Sequence, residues 1–227
     1  MTVLDILKRV PIFSNISARD LGKIKKILKK NEYKKGEHVF SERDEGDEFY
    51  IVKEGRIKIF KMSNDGQVKT LDYLKKDDFF GEMALLDKNP RSANALAIHD
   101  TTLFIIKNDD FRSFLVKQPD MLMTITQTLC NRLRKTNMEI EMFSFKKVRD
   151  RLIACLVYLA EKYGTDTDKG VEIAIDFTHQ DLSEYVGTAR EVISRLLKKL
   201  SQERLIISEK RHIIIPSVAD LRKKLVE

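Results

Sequence analysis

Near Pro119 the apolar period of the chain changes, and that change fixes most of its architecture. From Glu37 to about Lys107 the apolar residues fall in short β-rich runs: His38 to Phe40, Phe49 to Val52, Ile57 to Phe60, Val68 to Leu74, Ala93 to Ile98 and Leu103 to Ile106. Turn signals separate them at Glu45-Gly46-Asp47, Glu54-Gly55, Asn64-Asp65-Gly66, Lys76-Asp77-Asp78 and Asn89-Pro90. Short strands at such regular spacing predict a small barrel or sandwich. Beyond Pro119 the spacing is helical to Phe143, about 25 residues, or roughly 37 Å at the usual rise per residue. A small barrel does not need a helix of that length to cover it. Its apolar positions Leu122, Ile125, Leu129, Leu133, Ile140 and Phe143 form a stripe close to a coiled-coil seam, interrupted by Arg132, Thr136 and Asn137. Packing on its own barrel is the simpler arrangement, but a lone helix would leave apolar surface wet, so the stripe predicts self-pairing into a dimer.

On either side of these segments the pattern is helical again. Ser17 to Lys30 opens with a Ser cap and keeps Leu21, Ile24, Ile27 and Leu28 on one stripe. Val148 to Tyr163 carries a core face and stops at Gly164, read as a C-cap. A charged loop, Thr165 to Gly170, and an apolar run, Val171 to Phe177, come next. Thr178 can cap a helix Gln180 to Tyr185, Gly187 can turn the chain, and Thr188 can cap Arg190 to Ser201, a helix-turn-helix pattern. In the second helix Val192, Ile193, Leu196, Leu197 and Leu200 share a face, whereas Arg190, Glu191, Ser194, Arg195 and Lys198 take the other. Long donors and an acceptor at the start of such a helix suit base edges in a major groove. Leu205 to Ser208 and His212 to Ile215 read as a hairpin, or wing, whose tip carries Lys210 and Arg211. Thr178, His179, Thr188, Arg190, Glu191, Arg195, Lys198, Lys210 and Arg211 are therefore the candidate DNA-contacting residues.

The net charge of +7 favours polyanionic partners, but only weakly. The excess is spread, with 26 Lys and Arg against 22 Asp and Glu up to residue 145 and 16 against 13 beyond it. Cys130 and Cys155 sit in helical patterns without a CxxC, and the histidines at 38, 99, 179 and 212 lack metal-ligand spacing, so no metal site is expected. The N-terminal stretch carries Asp5, Lys8 and Arg9 inside its apolar pattern and no long apolar run follows, which predicts a cytoplasmic chain without a membrane span. An enzyme, for instance a phosphodiesterase, would need metal ligands or a poised nucleophile and base, and no such cluster is evident.

Within the β-rich part, Phe80 to Ala97 reads FGEMALLDKNPRSANALA. Gly81 permits close backbone approach, Glu82 offers an acceptor for a ribose hydroxyl, and a short helix from Met83 would turn free N–H groups toward an anion. Arg91 adds a forked cation for phosphate and Ser92 a hydroxyl donor. FGEMALLDKNPRSA closely resembles the phosphate-binding cassette of cyclic-nucleotide-binding domains, and FTHQDLSEYVGTAREVISRLLKKLSQERLI resembles the helix-turn-helix of the cyclic-AMP receptor protein and Fnr family. The resemblance covers essentially the whole chain. It implies an α+β fold with a jelly-roll-like, cyclic-nucleotide-binding β-roll over 1–119, a long dimerisation helix over 120–146 and a winged helix-turn-helix over 147–227. It further implies that Gly81, Glu82, Met83, Arg91, Ser92, Arg132, Thr136 and Asn137 meet the nucleotide, with Asn137 standing where the receptor protein has Ser. Arg190, Glu191 and Arg195 fall on the family's base-reading positions, implying a palindromic operator with TGTGA-like half-sites and RNA polymerase as a further partner. The expected protein is a homodimeric, allosteric transcription regulator with cAMP as effector. A cyclic dinucleotide, or no effector, is the alternative. A kinase-type nucleotide-binding module is disfavoured by the helix-turn-helix, and the missing N-terminal cysteine cluster disfavours Fnr-type oxygen sensing.

Overall fold

The computed structural model describes residues 2–173, 177–209 and 212–225. The chain divides into two compact units, Met1–Arg134 and Lys135–Glu227. The first begins with α1 (Val3–Arg9), a 3-10 turn at Pro11–Phe13 and α2 (Ala18–Ile27). Thr2 and Asp5 close a capping box on α1, and the Ser17 hydroxyl accepts from the Asp20 amide to start α2. The strands are β1 (Lys29–Tyr33), β2 (His38–Phe40), β3 (Glu48–Glu54), β4 (Ile57–Met62), β5 (Val68–Leu74) and β6 (Phe79–Phe80). After α3 (Glu82–Asp87) come β7 (Asn94–Ala97), β8 (Thr101–Lys107) and α4 (Asn108–Leu115). The long helix α5 (Pro119–Phe145) then carries the chain into the second unit.

In the first unit the pairings among the described residues are antiparallel, in two four-stranded sheets ordered β1-β8-β3-β6 and β2-β7-β4-β5. Tyr50, Val52, Phe80, Leu103 and Ile105 of the first sheet pack with Ile57, Leu74, Ala95 and Ala97 of the second. The opposite face of the first sheet, with Phe49, Ile51, Phe79, Phe104 and Ile106, packs against α1, α2, α4 and α5. Burial on both faces is why Phe49 to Val52 reads as an unbroken apolar run rather than an alternation.

Three expectations change here. The helix expected over Ser17 to Lys30 ends at Ile27, because Lys29 and Lys30 open β1, an edge strand paired with β8. Its sequence KKNEY is largely exposed, so no alternation announced it, and lysines are what an edge strand tolerates. The charged loop expected at Thr165 to Gly170 contributes instead to a hairpin, described below. The expected seam of α5 is also divided. Ile125 is fully buried and Leu129 packs beside it in the first unit's core, whereas Leu122, Leu133 and Ile140 are exposed.

In the second unit α6 (Val148–Tyr163) buries Leu152, Ile153, Leu156 and Leu159 in the core. Gly164 ends it in extended rather than left-handed backbone, and a Cβ there would lie 2.1 Å from the Ala160 carbonyl oxygen, so close approach selects glycine. Next are β9 (Gly164–Thr167), β10 (Gly170–Ile173), α7 (His179–Val186), α8 (Arg190–Gln202), β11 (Ile207–Glu209), β12 (His212–Ile215) and α9 (Val218–Lys223). The sheet order is β11-β12-β10-β9. Lys210 and Arg211 at the expected wing tip, and residues 174–176 of the expected Val171 to Phe177 run, lie outside the described residues. Among the described residues no helix is long and apolar enough to cross a membrane.

Placing Ile125 in the core rather than a seam has a measurable consequence. Ile125→Ala should lower unfolding stability by about 2–5 kcal/mol, the usual range for a fully buried Ile or Leu truncated to Ala. Urea unfolding followed by far-ultraviolet circular dichroism checks this, and a wild-type midpoint and slope would place Ile125 outside the core.

Candidate anion site and nucleic-acid interface

The first site is built around Gly81, which joins β6 to α3 with φ 84°. A Cβ there would come within 2.8 Å of Arg91 Nη1 and 3.0 Å of the Glu48 carbonyl oxygen, so conformation and space both select glycine. Arg91 is 4% exposed. Its Nη1 donates to the Gly81 carbonyl at 2.9 Å and its Nη2 to the Glu48 carbonyl at 2.8 Å, while the guanidinium lies 4.4 Å from the Phe40 ring centroid. Its Nε is buried without a hydrogen-bond partner, and among the described residues no carboxylate pairs with it. Carbonyl dipoles and the faces of Phe40 and Tyr50 therefore hold a buried cation that lacks a counter-charge. The Tyr50 hydroxyl donates to Glu48 at 2.8 Å. Burial pushes the Tyr50 pKa up, and the bond to the Glu48 carboxylate pushes it further, so the hydroxyl stays neutral.

Glu82, the first residue of α3, is 1% exposed. Its Oε1 accepts from Arg132 Nη1 of α5 at 2.5 Å, and its Oε2 is buried without a partner. Arg132 also donates through Nη2 to the Phe79 carbonyl at 2.9 Å. Gly81, Glu82 and Arg91 thus meet around one turn, with Arg132 fastened to its carboxylate. Ser92 is exposed with its Oγ 3.6 Å from the sulfur of Met83, itself exposed, at the rim. Thr136 and Asn137 are exposed positions of α5 that fall in the second unit. The sequence marks Gly46 only as a turn, yet a Cβ there would lie 2.4 Å from the Ala84 Cβ and 3.0 Å from Arg91 Nε. Phe40 and the carbonyl of Glu48 were missed because ring faces and main-chain acceptors leave no residue-type signal.

The second site is the helix-turn-helix. Thr178 and Asp181 form a capping box on α7, and Gly187 ends that helix in the left-handed region at φ 72°. The Thr188 amide donates to the Ser183 carbonyl at 3.1 Å, but its side chain does not cap α8. The N-cap is Ala189, without a side-chain bond, which corrects the expected Thr188 cap. Ile193, Leu197 and Leu200 are buried, Val192 and Leu196 are half-buried, and Arg190, Glu191, Arg195 and Lys198 are exposed together. His179 places its Nδ1 2.7 Å from the Ser194 hydroxyl, so this pair joins α7 to α8. His212 Nδ1 lies 2.7 Å from Glu172 across β12 and β10. Among the described residues no group of His, Cys, Asp or Glu is arranged to hold a metal.

Comparison with known proteins bears on both sites. The cyclic nucleotide-binding domain model matches residues 30–118, and the Crp-like helix-turn-helix domain model matches residues 150–224. The chain is 31% identical to the cAMP-activated global transcriptional regulator CRP of Pasteurella multocida over 74% of its own length and 79% of that protein. It is 27% identical to the CRP-like cAMP-activated global transcriptional regulator of Mycobacterium tuberculosis H37Rv over 97% of this chain and 98% of the relative. The structure of the c-di-GMP-responsive regulator CLP of Xanthomonas campestris, 22% identical, superposes with a TM-score of 0.77 over 88% of this chain and 100% of that one. With both domain models matched in this order, the chain belongs to the Crp/Fnr family of DNA-binding transcriptional regulators.

Proposed function

We propose that the chain is a homodimeric regulator whose β-roll binds a cyclic nucleotide, cAMP, and whose α8 then reads an operator. The observation that carries this reading is the pair of buried, unpartnered polar atoms at one turn: Arg91 Nε, a cationic donor, and Glu82 Oε2, an anionic acceptor. A cyclic phosphate supplies the charge that Arg91 lacks, and a ribose hydroxyl supplies the donor that Glu82 lacks. Ser92 and the short helix α3 flank the same place, so the residues fit the ligand. The two relatives activated by cAMP favour that nucleotide, and the resemblance gives Thr136 and Asn137 the contacts to the base. Because Glu82 shares its carboxylate between Arg132 and the ribose, ligand arrival changes the restraint on α5.

For the dimer, the support is α5. Met123, Thr126, Cys130, Leu133, Asn137 and Ile140 are exposed at alternating spacings of three and four, a heptad seam displaced from the expected one. A twofold dimer presents two copies of α8 about 34 Å apart, one turn of duplex.

Two measurements test these assignments. Arg91→Lys keeps the charge and removes the fork, so calorimetric titration with cAMP should show affinity reduced by about tenfold or more, the equivalent of a charge-assisted bond worth about 1.5–3 kcal/mol. Cyclic GMP and cyclic di-GMP are titrated alongside, and tighter binding of either replaces cAMP as the effector. Unchanged cAMP affinity in Arg91→Lys would remove Arg91 from the site. For α8, Arg190→Ala should relax base preference at one position of each half-site at about 1–3 kcal/mol, read by selection from a randomised duplex pool. An unaltered preference would show that Arg190 does not read bases.

A further inference from the structure

We propose that Phe143 and Arg151 form a latch on the turn of the helix-turn-helix and act as positioning residues for α8. The inference rests on the reading of α8 as the element that enters the groove. Gly187 begins the turn, and a Cβ built on it would lie 2.6 Å from Cε1 and 2.8 Å from Cζ of Phe143, so the edge of the ring sits where a side chain would be. Arg151, in the first turn of α6, places its guanidinium 4.6 Å from the Phe143 ring centroid and donates from Nη2 to the Gly187 carbonyl at 3.2 Å. Two side chains from different helices therefore converge on one residue and also touch each other.

The contact differs from ordinary core packing. Phe143 remains 41% exposed, so its ring adds little to the buried core, and its edge lies close against the turn. That turn needs bracing. Gly187 and Thr188 both donate to the Ser183 carbonyl, at 2.8 and 3.1 Å, and α8 starts without a side-chain cap. What orients its first turn is the buried face of Ile193 and Leu197, the His179–Ser194 contact and the Phe143–Arg151 pair. Arg190 follows Gly187 by three residues, so a shift of the turn displaces it directly, and base contacts are sensitive to displacement whereas diffuse phosphate attraction is not. Phe143 lies in the last turn of α5, which makes the end of the long helix one face of the device.

The test uses the full-length chain saturated with cAMP and two duplexes: one recovered by the wild type from a randomised pool, and a scrambled one of the same composition. Affinities come from fluorescence anisotropy, with thermal melting as a check on folding. Phe143→Ala should weaken binding of the selected duplex by about tenfold, or 1.4 kcal/mol, and leave the scrambled duplex within about twofold. Phe143→Tyr, which retains the ring, should restore wild-type binding. Arg151→Ala should act in the same direction, and the double variant should be less impaired than the product of the single effects, since both residues brace one turn. Wild-type discrimination in Phe143→Ala would overturn the latch, as would equal weakening on both duplexes with a lowered melting temperature, or additive effects in the double variant. A wild-type chain that recovers no preferred duplex overturns the reading of α8 itself, and the latch with it.

Discussion

The buried charge of Arg91 is the constraint on which the first unit's functional turn depends. Burying a guanidinium without a counter-ion is unfavourable unless its donors are satisfied. Two carbonyls and two aromatic faces do part of this work, and each imposes a condition on the sequence. The Gly81 carbonyl can be offered only because residue 81 has a left-handed backbone and no Cβ, and Nε can lie beside residue 46 only because that is also glycine. The remaining shortfall, an unpartnered Nε–H and an uncompensated positive charge, is of the kind that a phosphate corrects.

Glu82 and Arg132 form the second half of this arrangement. Only the carboxylate is buried, since the Arg132 side chain is 36% exposed, and the pair does not by itself argue for stability, because desolvation of Glu82 and solvent screening of Arg132 offset much of the Coulomb attraction. Its value lies in position. Glu82 stands at the start of α3 beside the candidate anion site, and Arg132 stands on α5, the helix that buries Met121 and Ile125 in the first core and ends with Phe143 against Gly187 in the second unit. One helix is therefore fastened by a polar contact near the ligand turn and by an aromatic contact at the turn before α8.

Much of this was legible in the sequence. The change of period at Pro119, the unbroken run of β3 and the cassette around Gly81 and Arg91 all express local rules whose signals survive in one dimension. What was not legible depended on tertiary accounting. KKNEY becomes β1 because β8 offers it an edge, not because its residues alternate. Ile125 joins a core where spacing alone suggested a seam, since a heptad pattern cannot say which neighbour covers it. Ala189 caps α8 although Thr188 is the better capping residue, because the αL turn at Gly187 fixes where the helix begins. Gly46, Phe40 and Phe143 act through space, through a ring face and through an edge contact, and composition or motif spacing marks none of these.

The proposed link between ligand and DNA rests on Arg132, and linkage gives it a direct measure. If cAMP favours the DNA-binding state through the Glu82 carboxylate that Arg132 shares, it must tighten operator binding, typically about 5- to 150-fold in allosteric systems. The measurement is the ratio of affinities for the wild-type-selected duplex with and without saturating cAMP, in the wild type and in Arg132→Met, with cAMP occupancy confirmed calorimetrically. The account predicts a ratio well above one in the wild type that collapses toward one in Arg132→Met while cAMP still binds. An equal ratio in the two proteins would contradict it.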